Sequence, residues 1–251
     1  MSAWQMLPTL ALAIDAEIAP ARAQAVTAAL LRRIVPLLAA RAGRFEPLAS
    51  GCLYEHGGRL ILMTCRHVFD DGAAIGDLAV PLAAAGRLLP LRHARARLLA
   101  HPQHDLAALE IGAEGARKVL QRGWQPVPLA ALPTEVVGSQ FVLAGYPYAQ
   151  MRRCDGTLYA KPLVVFARRL EDEAAPRVRY GYTAVRVDGQ LVYAPALDGV
   201  SGATLWSVTE ARGEVDCVLQ PAGVQSAFLH SRYARGAPIA AAGELLARLG
   251  R

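Results

Sequence analysis

Three residues far apart in the chain are of the types that acyl transfer to a hydroxyl requires. Ser201 sits in Asp198-Gly199-Val200-Ser201-Gly202-Ala203, a glycine-flanked turn that opens an apolar run. A serine alcohol is a weak nucleophile at neutral pH and needs a base within hydrogen-bond reach. His67 can be that base, since it follows the apolar run Leu60-Ile61-Leu62-Met63-Thr64 by way of Cys65-Arg66. The base needs an anion on its other nitrogen, to fix the tautomer and stabilise the imidazolium as it forms. Asp105, in His101-Pro102-Gln103-His104-Asp105-Leu106-Ala107-Ala108-Leu109, can supply it. The oxyanion of a tetrahedral intermediate needs two amide hydrogens aimed at it. A glycine two places before the serine lets the backbone turn inward without a Cβ in the way, which makes the N–H groups of Gly199 and Ser201 the expected donors. His56, His93, His101, His104 and His230 are read as bystanders.

The elements that must position these groups are short. Brief apolar runs are expected over Pro47 to Tyr54, Arg59 to Thr64, Gly76 to Val80, Arg87 to Leu91, Arg95 to Ala100 and Leu106 to Ile111, most of them bounded by Gly, Pro, Asp or His. A second series covers Gln140 to Gly145, Leu163 to Leu170, Arg177 to Val187, Gln190 to Ala194, Ala203 to Val208, Glu214 to Leu219 and Gly223 to Leu229. Such regular spacing of short strands reads as an all-β barrel or sandwich. Between the two series, Gly112 to Pro133 carries Gly, Pro and a helical turn around Arg117 to Leu120, and the connection between halves is placed there. Val26, Ala29, Leu30, Ile34 and Leu37 recur at three and four residues. That spacing suits a helix, or a helix leading into a first strand, with Pro36 ending the helix. Ile239, Leu245, Leu246 and Leu249 predict a closing amphipathic helix after Pro238.

Composition narrows the function classes. The chain has 251 residues and is 53% hydrophobic, enough for a core without covalent staples. The net charge of +6 and pI near 9.4 invite a nucleic-acid reading. However, the basic residues are nearly all arginines in an alanine-rich chain and form no run interleaved with aromatics, so no nucleic-acid partner is expected. Cys52, Cys65, Cys154 and Cys217 lack close C-x-x-C pairing, so no metal and no cofactor is expected and all four are read as free thiols. Met6 to Ile14 is largely apolar, but no Lys or Arg precedes it and Asp15 and Glu17 follow it. A cytoplasmic location is expected on that ground. No apolar run reaches about eighteen residues, so no membrane span is expected.

The order and surroundings of the three motifs resemble the trypsin and chymotrypsin-like serine peptidases, especially their bacterial members. Thr64-Cys65-Arg66-His67 is similar to the family's T-A-x-H motif. Asp105-Leu106-Ala107-Ala108-Leu109 is similar to D-[LI]-A-x-L, and Gly199-Val200-Ser201-Gly202-Ala203 to G-[DNM]-S-G-G. Asp105 lies 38 residues beyond His67 and Ser201 a further 96, the His, Asp, Ser order of the family. Gly145-Tyr146-Pro147 resembles a strand end found in bacterial members, and the likeness spans roughly residues 26 to 240. Two positions depart from the pattern. Val200 stands where digestive members carry an Asp that pairs with a new amino terminus, and Ala203 replaces the second glycine.

The resemblance implies two packed six-stranded antiparallel β-barrels with a C-terminal helix and a short N-terminal helical extension. The expected division is 1–25 extension, 26–120 first barrel with His67 and Asp105, 121–236 second barrel with Ser201, and 237–251 C-terminal helix. It implies a serine endopeptidase acting on a protein or peptide substrate, with control by a regulatory protein partner. The resemblance places Pro195 at the base of the primary specificity pocket, which implies a small or apolar residue before the cut. Gly223-Val224-Gln225 resembles the edge strand that pairs with substrate backbone. The alternative is an idle fold of the same kind that binds a peptide or partner. An α/β-hydrolase would need Asp216 and His230 after the serine and long β-α alternation, which the chain does not show.

Overall fold

The computed structural model describes residues 3–128, 138, 140–170, 176–210, 217–230 and 232–249. The architecture is all-β and two-lobed, as expected. The first lobe is a sheet running, in spatial order, Leu88–Pro90, Leu78–Pro81, Ile34–Arg41, Arg44–His56, Arg59–Thr64, Ala107–Ile111 and Ala96–Ala100. Val127–Pro128 adds to it in parallel beside Arg44–His56. The second lobe's sheet runs Arg177–Arg179, Tyr233–Pro238, Cys217–Leu229, Thr204–Glu210, Gln140–Gly145, Leu163–Arg168, Leu10–Ile14, Thr183–Arg186 and Leu191–Tyr193. Both sheets hold more than the six strands expected. Some of the pairing is parallel, because Leu10–Ile14 and Val127–Pro128 join from outside the antiparallel series.

Sequence alternation explains why two sheets make three apolar layers. In Arg59–Thr64, Leu60 and Leu62 face the interior of the first lobe while Ile61 and Met63 face a middle layer. In Gln140–Gly145, Phe141 and Leu143 face the second lobe's interior while Val142 and Ala144 face that same middle layer. Strands buried on both faces read as unbroken apolar runs rather than alternating ones. Full burial of each large side chain is worth about 1.5–3 kcal/mol, so Arg59–Thr64 is a rigid base for the histidine at its end. A small sheet of Met151–Cys154, Thr157–Ala160, Ala3–Met6 and Ala85–Gly86 carries Trp4, whose ring packs edge-on to Tyr146 in the middle layer at 5.6 Å.

Residues 3–25 are helical only from Pro20 onward. They contribute the strands Ala3–Met6 and Leu10–Ile14 before helix α1 (Pro20–Leu31) begins, with Pro at its first turn. Leu12 and Ile14 fill the second lobe's core, so this apolar segment is inserted, not appended. Pro36 does not end a helix but lies inside the strand Ile34–Arg41 opposite Ser50. Ser50 sends its own N–H away from that strand, to Ser201 O at 2.9 Å. The pair is thus of the non-hydrogen-bonded kind, in which Pro36 needs no N–H. Helix α2 (His67–Asp70) is a single turn, and α3 (Glu114–Gly123) lies in the expected connection, whose end at Pro133 is outside the described residues. Helix α4 (Ile239–Ala247) buries Ile239, Leu245 and Leu246 as expected. The strand placed at Glu214 to Leu219 is the start of the longer Cys217–Leu229, with 214–216 outside the described residues.

Candidate active site

His67 is the first residue of α2, delivered by the rigid strand Arg59–Thr64. Its Nδ1 lies 2.7 Å from Asp105 Oδ2, and its backbone N–H donates to Asp105 Oδ1 at 2.8 Å. This two-point grip fixes the carboxylate against both ring and main chain. With a carboxylate accepting at Nδ1, the neutral ring carries its proton there and its lone pair on Nε2. The ring's pKa is raised to about 10, first by the Asp105 hydrogen bond and then by Cys65. Burial alone would raise the Asp105 carboxyl, but the hydrogen bonds from the His67 ring and backbone outweigh it and lower the pKa.

The loop that carries Asp105 has its own scaffold. His101, read from sequence as a bystander, is 2% exposed. Its Nδ1 accepts the N–H groups of Gln103 at 3.2 Å and His104 at 3.1 Å. Nε2 is therefore the protonated nitrogen, and it donates to Glu244 Oε2 on α4 at 3.2 Å. Arg66, beside His67, donates from Nη1 to His101 O at 2.8 Å.

Ser201 sits in a tight turn held from both lobes. The Ser50 hydroxyl donates to Gly199 O at 2.8 Å and accepts Tyr146 N–H at 2.9 Å, while Ser50 N–H donates to Ser201 O. Gly202 N–H donates to Gln225 O, and Gln225 N–H to Ala203 O, each at 2.7 Å. Gly199 and Gly202 have φ of +89° and +87°. A Cβ on Gly202 would stand 2.1 Å from Thr64 Oγ1 and 2.3 Å from Ser50 O, so no other residue fits.

The turn also orients two amides. Asp198 O accepts Tyr148 N–H at 2.8 Å, and in a trans peptide this points Gly199 N–H the opposite way. Val200 O accepts Ala203 N–H at 2.9 Å, which does the same for Ser201 N–H. Among the described residues, neither amide has a protein acceptor. His67, Gly199 and Ser201 line one cleft of about 440 Å³, together with Arg41, Asp71, Asp77, Tyr148 and Asp198.

Three sequence expectations change. Among the described residues, no hydrogen bond joins the Ser201 hydroxyl to the imidazole; Nε2 instead lies 3.5 Å from Cys65 Sγ, a contact no motif announced. Gly223, Val224 and Gln225 offer no free strand edge. They are buried, with Tyr233–Pro238 along one side and the start of Thr204–Glu210 and the Ser201 turn along the other. Among the described residues, the open edge lies just beyond, at 226–229, where only Tyr233–Pro238 pairs. Pro195 lies outside the wall of the His67 cleft, and its carbonyl accepts the Tyr180 hydroxyl. Cys52, Cys65 and Cys154 are free thiols.

A family model described as a trypsin-like peptidase domain matches residues 49–210, a stretch that contains His67, Asp105 and Ser201. No curated protein matches the chain.

Proposed function

Since the chain belongs to the trypsin-like peptidase family, we propose that it is a serine endopeptidase that cuts protein or peptide substrates through an acyl-enzyme on Ser201. His67 Nε2 takes the Ser201 proton as the oxygen attacks the scissile carbonyl, and the ring then gives that proton to the leaving amine. Asp105 holds the tautomer and balances the imidazolium. Gly199 and Ser201 N–H groups receive the oxyanion, each such donor contributing about 2.7–4 kcal/mol to the barrier reduction. Water activated by the same imidazole then releases the acyl group. The observation that carries this reading is the two-point grip of Asp105 on His67 in a cleft shared with Ser201.

The open edge at 226–229 gives substrate backbone a strand to pair with, starting beside the Ser201 turn. A regulatory protein partner and a cytoplasmic setting belong to the same proposal. Labelling of the full chain by an active-site fluorophosphonate tests it: wild type reacts and Ser201→Ala does not. Labelling that persists in Ser201→Ala removes Ser201 as nucleophile.

One observation favours a second reading, an idle fold that binds an extended peptide. His67 Nε2 has Cys65 Sγ at 3.5 Å, and among the described residues no hydrogen bond joins it to Ser201. On that reading, wild type resists the fluorophosphonate yet captures peptides that it leaves uncut.

A further inference from the structure

The neutral His67 ring has a single lone pair to offer, because Nδ1 is committed to Asp105 at 2.7 Å. That lone pair lies on Nε2, 3.5 Å from the sulfur of Cys65. A thiol is a weak donor, and this distance is in range for a hydrogen bond to sulfur. Cys65 is fully buried, anchored among the apolar side chains of the first lobe, so its sulfur is out of a substrate's reach. Its neighbour Thr64 is also fixed, its hydroxyl donating to Ser50 O at 2.9 Å.

We propose that Cys65 is a positioning residue that competes with Ser201 for Nε2 of His67, holding the imidazole in a resting state from which substrate binding releases it. The inference rests on reading His67 and Ser201 as base and nucleophile. With the ring neutral and at rest, Cys65 S–H points to Nε2; on engagement the ring yields the thiol and accepts Ser201 O–H. No bond other than these hydrogen bonds is made or broken. When the ring is protonated, Nε2–H donates to the sulfur instead, so the thiol also favours the charged ring. The other charged and titratable groups facing this cleft are Arg41, Asp71, Asp77, Tyr148 and Asp198, while Arg66 and Asp70 pair with each other at 3.0 Å.

The test compares fluorophosphonate labelling rates of the full chain as wild type, Cys65→Ala, Cys65→Ser and Ser201→Ala. Alanine removes the competitor, and its rate should exceed wild type by about two- to tenfold, the range of a weak hydrogen bond. Serine keeps a donor at the same place and should stay within about twofold of wild type. A merely structural role predicts that alanine slows labelling in step with lost stability. NMR titration of the His67 ring in the Ser201→Ala background gives a readout apart from activity, and adding Cys65→Ala should lower its midpoint. If the alanine chain does not fold, Cys65→Val takes its place, filling the space without a donor. An unchanged or slower rate in folded Cys65→Ala or Cys65→Val, or an unmoved ring midpoint, overturns the inference. If Ser201→Ala abolishes labelling while the Cys65 variants gain nothing, only the role of Cys65 falls; if Ser201→Ala still labels, the peptidase reading itself has failed.

Discussion

The side chain of Ser50, from the first lobe, donates its hydroxyl hydrogen to the carbonyl of Gly199 in the second lobe at 2.8 Å. The same oxygen accepts Tyr146 N–H, so one buried hydroxyl joins the Ser201 turn to the end of the strand Gln140–Gly145. Ser50→Ala leaves a buried carbonyl and a buried amide without partners. The expected cost is about 1–3 kcal/mol of stability. Because the Gly199 carbonyl loses its anchor, the turn that aims the Gly199 and Ser201 amides is loosened, and the labelling rate of Ser201 should fall as well. Denaturant titration together with labelling checks both, and a folded variant that labels at the wild-type rate would show that the clamp does not set the amide.

The raised pKa of His67 sets the sign of the pH dependence. Only the neutral ring can accept the serine proton, so labelling should climb as pH rises from 7 toward about 10, not level off near the ordinary histidine value. A rate that is flat above pH 7 contradicts this. The same shift stabilises the fold below the unfolded-state histidine pKa, and that contribution is lost as pH rises through about 10. Asp105, with its pKa lowered, contributes above the unfolded-state carboxylate value, and its share is lost as pH falls through the lowered one.

Asp105→Asn keeps the shape and removes the charge. The expected loss in labelling rate is about 10³ to 10⁴, because an amide can hold the ring in the wrong tautomer. The His67 midpoint should move down toward the ordinary histidine range, as seen by ring NMR. Loss of less than about tenfold would separate Asp105 from the chemistry.

His101 and Glu244 form one hydrogen bond but should respond unequally to mutation. His101→Ala removes a buried ring that accepts two backbone amides of the Asp105 loop, at a cost of about 1–3 kcal/mol. Glu244→Gln alters a carboxylate that is 67% exposed, and surface partners of this kind are worth about 0–1 kcal/mol. Thermal melts of the two variants distinguish the cases, and equal losses would mean that the helix contact, rather than the loop, carries the stability.

Among the described residues, Gly202→Ala should be one of the most damaging small changes. It forces a Cβ to 2.1 Å from Thr64 Oγ1 on a backbone of φ +87°. Gly57→Ala shares a positive φ but meets nothing within 4 Å, so its cost is confined to about 1–2 kcal/mol of backbone strain. A folded, fully labelled Gly202→Ala protein would refute the packing of the turn.

Much of the architecture was legible in the sequence wherever burial is two-sided or a turn needs glycine. Arg59–Thr64 and Gln140–Gly145 have the boundaries that their apolar runs predict, since both faces of each strand are covered. The nearness of His67 to Asp105 also follows from the motif order, because each sits at the end of adjacent antiparallel strands, with Thr64 opposite Ala107. What depends on pairing between distant segments was hidden. Nothing local in Ser50 announces that it anchors Gly199, and nothing near His101 names Glu244 as its partner. The edge strand was displaced by three residues for a related reason. The strand Cys217–Leu229 is bulged twice along its length, and only the pairing shows where its neighbour stops. Pro36 misled because a proline's missing donor matters only if the ladder needs it there.

The strand Leu10–Ile14 lies between Leu163–Arg168 and Thr183–Arg186, and its partners Leu163 and Val185 follow Leu10 and Ala13 by 153 and 172 residues. A ribosome therefore delivers an apolar segment that must wait, unpaired, until most of the chain has emerged. Closing so long a loop is slow, and the waiting segment is open to aggregation or to capture by a chaperone. Cutting the gene between the lobes would strand this piece with the wrong half, so each lobe alone should be insoluble unless residues 10–14 are carried across with the second.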